Sequence, residues 1–300
     1  MKSARKLVFI LLAVVLVVVL GLVAWLQLRP AAKPAQKQPR IVATTMAVTE
    51  MAAKLDLPLV GVPTSANQLP ARYQKVTQVG SPMSPNIEKI AALKPTAVYS
   101  VTVLKEQYEA TFKKQKFHAQ YLNLDTVASL EKTLTTLGQR YQRQKQAQQQ
   151  VKLIKQATKK AQARQHGSKP KVLILMGLPG AGYMIATDTS YIGDLVRLAG
   201  GENLYPDKTQ PYLTPDNEKL VQQRPDVILR LEHAMPEVVK PQFEQEFKQN
   251  SLWAQMPAVQ QKRVYDLQQP KFDATANMHV TSALQQVSRW LYPTNEGATK

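Results

Sequence analysis

Apolar positions along this chain follow three different rhythms. Residues 7–26 form one uncharged run, mostly Leu, Val, Ile and Ala. Such a run, at helical rise, spans roughly 30 Å, enough to cross a bilayer core. From residue 41 the apolar runs become short: 41–45, 59–63, 97–101 and 120–124 read as strands, with helical spacing between them, as over 47–55. That alternation predicts an α/β domain. From Asp125, read as an N-cap, 3–4 spacing takes over: Leu130, Leu134, Leu137, Tyr141, Val151 and Ile154, with no proline to about Arg164. Thirty-odd residues predict one helix of about 50–60 Å. Gly167-Ser168-Lys169-Pro170 ends it, and a second α/β pattern starts at Lys171.

The two α/β halves are related. Ser84-Pro85-Asn86-Ile87-Glu88-Lys89-Ile90, followed by Lys94-Pro95-Thr96-Ala97-Val98, returns as Thr214-Pro215-Asp216-Asn217-Glu218-Lys219-Leu220, followed by Arg224-Pro225-Asp226-Val227-Ile228. The offset is 130 residues without a gap. Each copy predicts a helix capped by Ser84 or Thr214 ahead of proline, stopped by a basic-Pro pair, then a buried strand. The expected architecture is therefore two similar α/β lobes, residues 40–125 and 167–300, joined by one long helix over 126–166. A cleft between lobes is a natural ligand site.

Charge changes this picture less than its total suggests. The chain carries 39 Lys and Arg against 21 Asp and Glu, a net +18. Seven of the basic residues lie in residues 1–40 and ten in residues 140–171, neither stretch holding an acid. The remaining 22 basic residues stand against 21 acids, so the body is nearly neutral. The 140–171 stretch is Gln-rich and poor in aromatics, which predicts a solvated helix face attracted to an anionic membrane surface rather than a nucleic-acid interface. Cysteine is absent, excluding disulfides, thiol catalysis, thiolate metal sites and a lipidated N-terminal cysteine.

The run at 7–26 is longer than a cleavable signal core, and Arg29 and Pro30 crowd the small residues after it. Residues 1–28 are therefore read as an N-terminal transmembrane anchor or uncleaved signal, with the following domain outside the cell. Residues 29–39, rich in proline, form the tether.

Candidate chemistry is sparse. Met83 lies between two prolines at a helix start, an awkward place for core filler; His233 follows the apolar strand 227–229, where open α/β sheets place ligands. Thioether and imidazole make a known axial pair for heme iron. On these residues alone, a Met plugging a loop and a His capping a turn remain the more ordinary roles. His279, in Ala276-Asn277-Met278-His279-Val280, is the rival ligand; His118 and His166 read as exposed bystanders. The glycines of 177–182 lack the order of a phosphate-binding loop and read as a turn. No paired acids, nucleophile with base or metal cluster supports an enzyme.

Five stretches carry a resemblance: residues 41–57 (IVATTMAVTEMAAKLDL), 59–73 (LVGVPTSANQLPARY), 79–86 (VGSPMSPN), 171–203 (KVLILMGLPGAGYMIATDTSYIGDLVRLAGGEN) and 225–236 (PDVILRLEHAMP). With them the chain resembles the helix-linked (class III) substrate-binding proteins of ABC importers, and more closely the heme receptors of Isd-type (iron-regulated surface determinant) uptake systems. The resemblance implies heme b as transported ligand, with Met83 and His233 as axial ligands of its iron. It places the heme propionates on backbone amides of Met46, Ala47, Ser65 and Ala66. A helix start after Thr44-Thr45 suits an anion, and backbone donors put no demand on side-chain identity. Arg72, Lys75 and Lys271 add charge nearby without being singled out.

It also places docking to the permease on Glu88 and Glu218, equivalent positions of the repeat. The implied partners are heme, an ABC permease with its ATPase, and upstream cell-surface heme carriers. The expected function is a membrane-anchored extracellular heme receptor that performs no chemistry and closes little on binding. The alternatives are a siderophore or cobalamin receptor and, from another class, a membrane-anchored heme enzyme.

Overall fold

The chain Ile41–Ala43 (β1) opens a sheet whose order is β3-β2-β1-β6-β7, every neighbouring pair parallel. Its other strands are β2 (Leu59–Val62), β3 (Thr77–Gln78), β6 (Ala97–Val101) and β7 (Ala119–Leu122). Helices α1 (Met46–Lys54), α2 (Ile87–Ala92) and α3 (Lys105–Lys114) connect them, and a small hairpin pairs β4 (Gly80–Ser81) with β5 (Ser84–Pro85). The interior strand β6 is buried along its whole length. This is a computed structural model, and it describes residues 38–293 except Ala234; of the side chains of Asn217 and Val221 nothing is described. The apolar run at 7–26 and most of the tether lie outside the described residues. Among the described residues no helix is long and apolar enough to cross a membrane.

The second lobe has β11-β9-β8-β12-β13 as its sheet, with β10 pairing β8. Its strands are β8 (Lys171–Leu178), β9 (Gly182–Ala186), β10 (Glu202–Asn203), β11 (Tyr212–Leu213), β12 (Val227–Glu232) and β13 (Val264–Leu267). Here β8, β12 and β13 run parallel, whereas β8–β9 and β9–β11 are antiparallel. The glycine-rich 177–182 stretch turns β8 into β9, so it leads into a strand and not into a phosphate-binding helix. Alternate residues of β8 face opposite layers. Val172 and Ile174 join the core with α6 (Tyr191–Leu198) and α11 (Val280–Leu291). Leu173 and Leu175 instead join a second core with α8 (Pro236–Gln249), α9 (Ser251–Ala254) and α10 (Pro257–Gln260).

The repeat is real in space, with one shift. Asn86 and Asp216 cap α2 and α7 (Asn217–Gln222), accepting from Lys89 N at 2.8 Å and from Glu218 N at 3.1 Å. The predicted caps, Ser84 and Thr214, are displaced by two residues; Ser84 is instead engaged in the β4–β5 ladder. Ile90 and Leu220 are both fully buried, as are Val98 and Ile228. Thr96 Oγ1 accepts from Arg40 N at 2.9 Å, and Asp226 Oδ2 from Lys171 N at 2.7 Å, so each copy also fastens the start of its strand to the neighbouring strand.

The single long helix expected over 126–166 is two helices, α4 (Val127–Arg140) and α5 (Gln144–Gln162). Gln142 enters the left-handed region at φ 56°, Arg143 N bonds Gly138 O at 2.7 Å, and Gln142 N bonds Gln139 O at 3.4 Å. That 6→1 and 5→2 pair is a Schellman stop. The chain then doubles back: a Cβ on Gly138 would come within 2.6 Å of the Cβ of Ala147, so only glycine lets the helices approach this closely. Helix α4 begins beside the second lobe, where Val127 N bonds Asp194 Oδ2 at 2.8 Å. It ends at the first, where Arg140 donates to Tyr99 Oη at 2.9 Å. Helix α5 then returns, covering about 28 Å at helical rise. The lobes are thus joined by an antiparallel helix pair. The basic residues Lys145, Lys152, Lys159 and Lys160 do lie on its exposed face, opposite buried Ala147, Ile154 and Ala161.

Candidate functional site

The candidate ligands sit where chain leaves the carboxyl ends of strands, the edge at which open parallel sheets bind ligands. Met83 is at the tip of the β4–β5 hairpin. Gly80 makes that tip possible: its φ is +94°, and a Cβ there would lie 2.5 Å from Ser84 O. Pro82 and Met83 form the two-residue turn, and Gln107 Nε2 donates to Met83 O at 3.3 Å. The Met83 residue is 63% exposed, so the plain role of loop filler is not what it plays. Thr64 N bonds Gly80 O at 2.9 Å, tying this hairpin to the loop that carries Ser65 and Ala66.

His233 follows β12 directly. Its ring is one-third exposed, yet Nδ1 is buried and lies 3.5 Å from Asp273 Oδ1. The strand beneath it is pinned: Arg230 donates to Asp266 Oδ1 at 2.7 Å and lies over the Phe247 ring at 4.8 Å. Glu232 is almost fully buried, and burial, reinforced by Asp266, pushes its carboxyl up from the ordinary range. Met235 then precedes α8 and is 46% exposed. With Val103, 59% exposed just past β6, and Met83, it puts uncovered apolar side chains on the strand ends of both lobes. An apolar ligand is what such surface covers well.

The anion sites proposed from resemblance are built as helix and turn starts. Thr45 caps α1 by accepting from Val48 N at 3.4 Å, and no acid occupies its first turn. The amides of Met46 and Ala47 precede the first bonded amide of that helix, which leaves them among the groups a helix N-terminus offers. Ser65 Oγ accepts from Asn67 N at 3.0 Å, shaping the second turn around Ser65 and Ala66. Of the nearby cations, Arg72 is turned onto Asp56 and Lys271 onto Gln286.

Sequence reasoning missed the segment that brings these parts together, residues 268–279. Gln269 Oε1 accepts from Asn67 Nδ2 at 3.0 Å, next to Ser65 and Ala66. Ala276 N bonds Leu124 O at 2.8 Å. His279 Nε2 meets Glu50 Oε1 of α1 at 3.2 Å. The bond to Glu50 outweighs partial burial and the charges of Lys54 and Lys271, raising the His279 pKa. Asp273 meets His233 within the same segment. Only its loop character and His279, the rival ligand, flagged it in advance. His118 and His166 are exposed, His166 bonding Arg164 O at 2.9 Å. Glu88 and Glu218 are exposed in the first turns of α2 and α7. Among the described residues no cluster of His, Cys, Asp and Glu could hold a metal ion by itself.

Two α/β lobes with a helical connection and candidate ligand positions at strand ends define a two-lobe binding protein, and the chain belongs to the periplasmic binding protein family, whose model matches residues 41–270. It is 43% identical over 256 residues to "High-affinity heme uptake system protein IsdE" of Staphylococcus aureus strain Newman, covering 84% of this chain and 87% of that protein. The crystal structure of S. aureus IsdE complexed with heme superposes with a TM-score of 0.81 at 42% identity, covering 85% of this chain and 99% of that one. An ABC transporter substrate-binding protein from Listeria monocytogenes EGD-e gives 0.80 at 41% identity, with 86% and 100% covered.

Proposed function

We propose that this protein is a heme receptor: it captures heme between its lobes and delivers it to an ABC permease for iron acquisition. It is a binding protein, not an enzyme. The observation that carries the reading is the exposed thioether of Met83 on one lobe and the partly exposed imidazole of His233 on the other, each beside uncovered apolar side chains. The likeness to a heme uptake protein over most of the chain supports it. In this reading Met83 and His233 ligate the iron, the soft sulfur favouring the reduced metal. The amides of Met46, Ala47, Ser65 and Ala66 receive the propionates. Glu88 and Glu218, matched across the repeat, meet cationic side chains of the permease. The apolar run at 7–26 holds the receptor on the outer face of the cell membrane, where surface carriers pass heme to it.

Competition binding tests the ligand class. Residues 39–300, mixed with heme, a ferric siderophore and cobalamin in turn, are expected to hold heme alone through gel filtration. Retention of either of the others with equal occupancy contradicts the reading. In proteoliposomes carrying the permease, Glu88→Ala with Glu218→Ala is expected to stop delivery while heme binding is unchanged.

A further inference from the structure

Asp273 lies far from His233 in sequence and takes no part in the fold's regular elements, yet its carboxylate stands 3.5 Å from the buried Nδ1 of that ring. Its other contact is to the adjacent amide, Ala274 N, at 2.7 Å. Nδ1 makes no hydrogen bond among the described residues, and the carboxylate stands within ion-pair distance of it. An imidazole that binds metal through one nitrogen is held, as a rule, by a carboxylate or carbonyl accepting from the other. That contact fixes which nitrogen carries the proton and makes the ligating nitrogen more basic.

The segment carrying Asp273 is fastened on both sides to the opposite lobe. Before it, Gln269 bonds Asn67; after it, Ala276 bonds Leu124 and His279 bonds Glu50. Tyr191, fully buried in the second lobe, has its pKa raised first by burial and then by the charges of Asp194, Asp273 and Glu50. We propose that Asp273 is a positioning residue for the His233 ligand, and that residues 268–279 act as a strap by which the first lobe, which carries Met83, sets the orientation of the ligand on the second. The inference rests on the heme-receptor reading and deepens it.

The test compares Asp273→Ala and Asp273→Asn, each alone and with His233→Ala, in residues 39–300, a unit that is compact on its own. Two quantities are read: the rate of heme loss to an excess of a heme-scavenging apoprotein, and the midpoint potential of the bound iron. Asp273→Ala is expected to speed heme loss about 10–100-fold and to move the potential upward, because a less basic imidazole stabilises the ferric state less. Asp273→Asn keeps shape and an acceptor but loses the charge, so it moves the potential the same way with a smaller rate change. With His233→Ala already present, Asp273→Ala is expected to change the rate little. An unmoved potential, or equal acceleration in both backgrounds, overturns the positioning role. If His233→Ala itself keeps the wild-type spectrum, the heme ligand assignment falls first and the positioning role with it. Thermal unfolding of the heme-free variants, expected to be unchanged, separates this from misfolding.

Discussion

The two lobes share a frame and differ in what they hang on it. Shifted by 130 residues, Asn86 falls on Asp216, Glu88 on Glu218, Ile90 on Leu220 and Val98 on Ile228, and these pairs keep the same cap, exposure or burial. The candidate ligands do not repeat. His233 falls on Val103, and Met83 on Leu213. Each lobe therefore places its candidate donor at a different exit from the same unit. The first keeps an all-parallel sheet and puts Met83 on a hairpin tip. The second adds the β8–β9 hairpin and a further helical layer in which Trp253, Phe247 and Phe243 pack together. A pinned strand end suits a histidine that must be oriented, while a flexible thioether needs only to be within reach. The duplicated structure supplies the frame; the departures from it carry the candidate donors.

This comparison can be broken at its core first. Ile90→Ala and Leu220→Ala are each expected to cost about 2–5 kcal/mol, measured by urea unfolding, and to do so alike. A large loss at one and none at the other would show that the two units are alike in pattern only. Next come the caps. Asn86→Ala is expected to cost about 0.5–2 kcal/mol, and Asp216→Ala to destabilise in the same direction, with Ser84→Ala and Thr214→Ala near neutral as caps. The reverse order would restore the caps that the sequence pattern suggested.

Smallest is the clasp between lobes, His279 with Glu50. The His279 pKa is raised above its ordinary 6.5 on folding, so its contribution is full below about pH 6.5 and fades as pH rises through the raised value. The melting-temperature gap between wild type and His279→Gln is therefore expected to be widest at mildly acidic pH and to shrink on the alkaline side. A gap that grows with pH contradicts a charged clasp.

Most of the frame could be read in advance, because buried strands write themselves as short apolar runs and the 130-residue repeat marks equivalent units. Strand β6 matches its expected bounds, and α1 falls within one residue of them. The helix break could not be read, since its left-handed residue is Gln142, neither Gly nor Asn, and the apolar spacing runs on beyond it. The clue was Gly138, which is a packing glycine rather than a stop. Of the site, the candidate donors Met83 and His233 could be named in advance, Met83 from its place between prolines and His233 from its place after an apolar strand. Asp273, Gln269 and the His279–Glu50 bond were hidden, because long-range polar contacts leave no period in the sequence.

In the proposed receptor one donor from each lobe holds the iron. This claim is tested most directly by the absorption spectrum of heme bound to residues 39–300 in wild type, Met83→Ala and His233→Ala. The wild type is expected to show a sharp Soret band, and each variant to shift or weaken it in its own way, with the double variant losing defined ligation. Wild-type spectra from both single variants would contradict the claim and remove the cleft site built here.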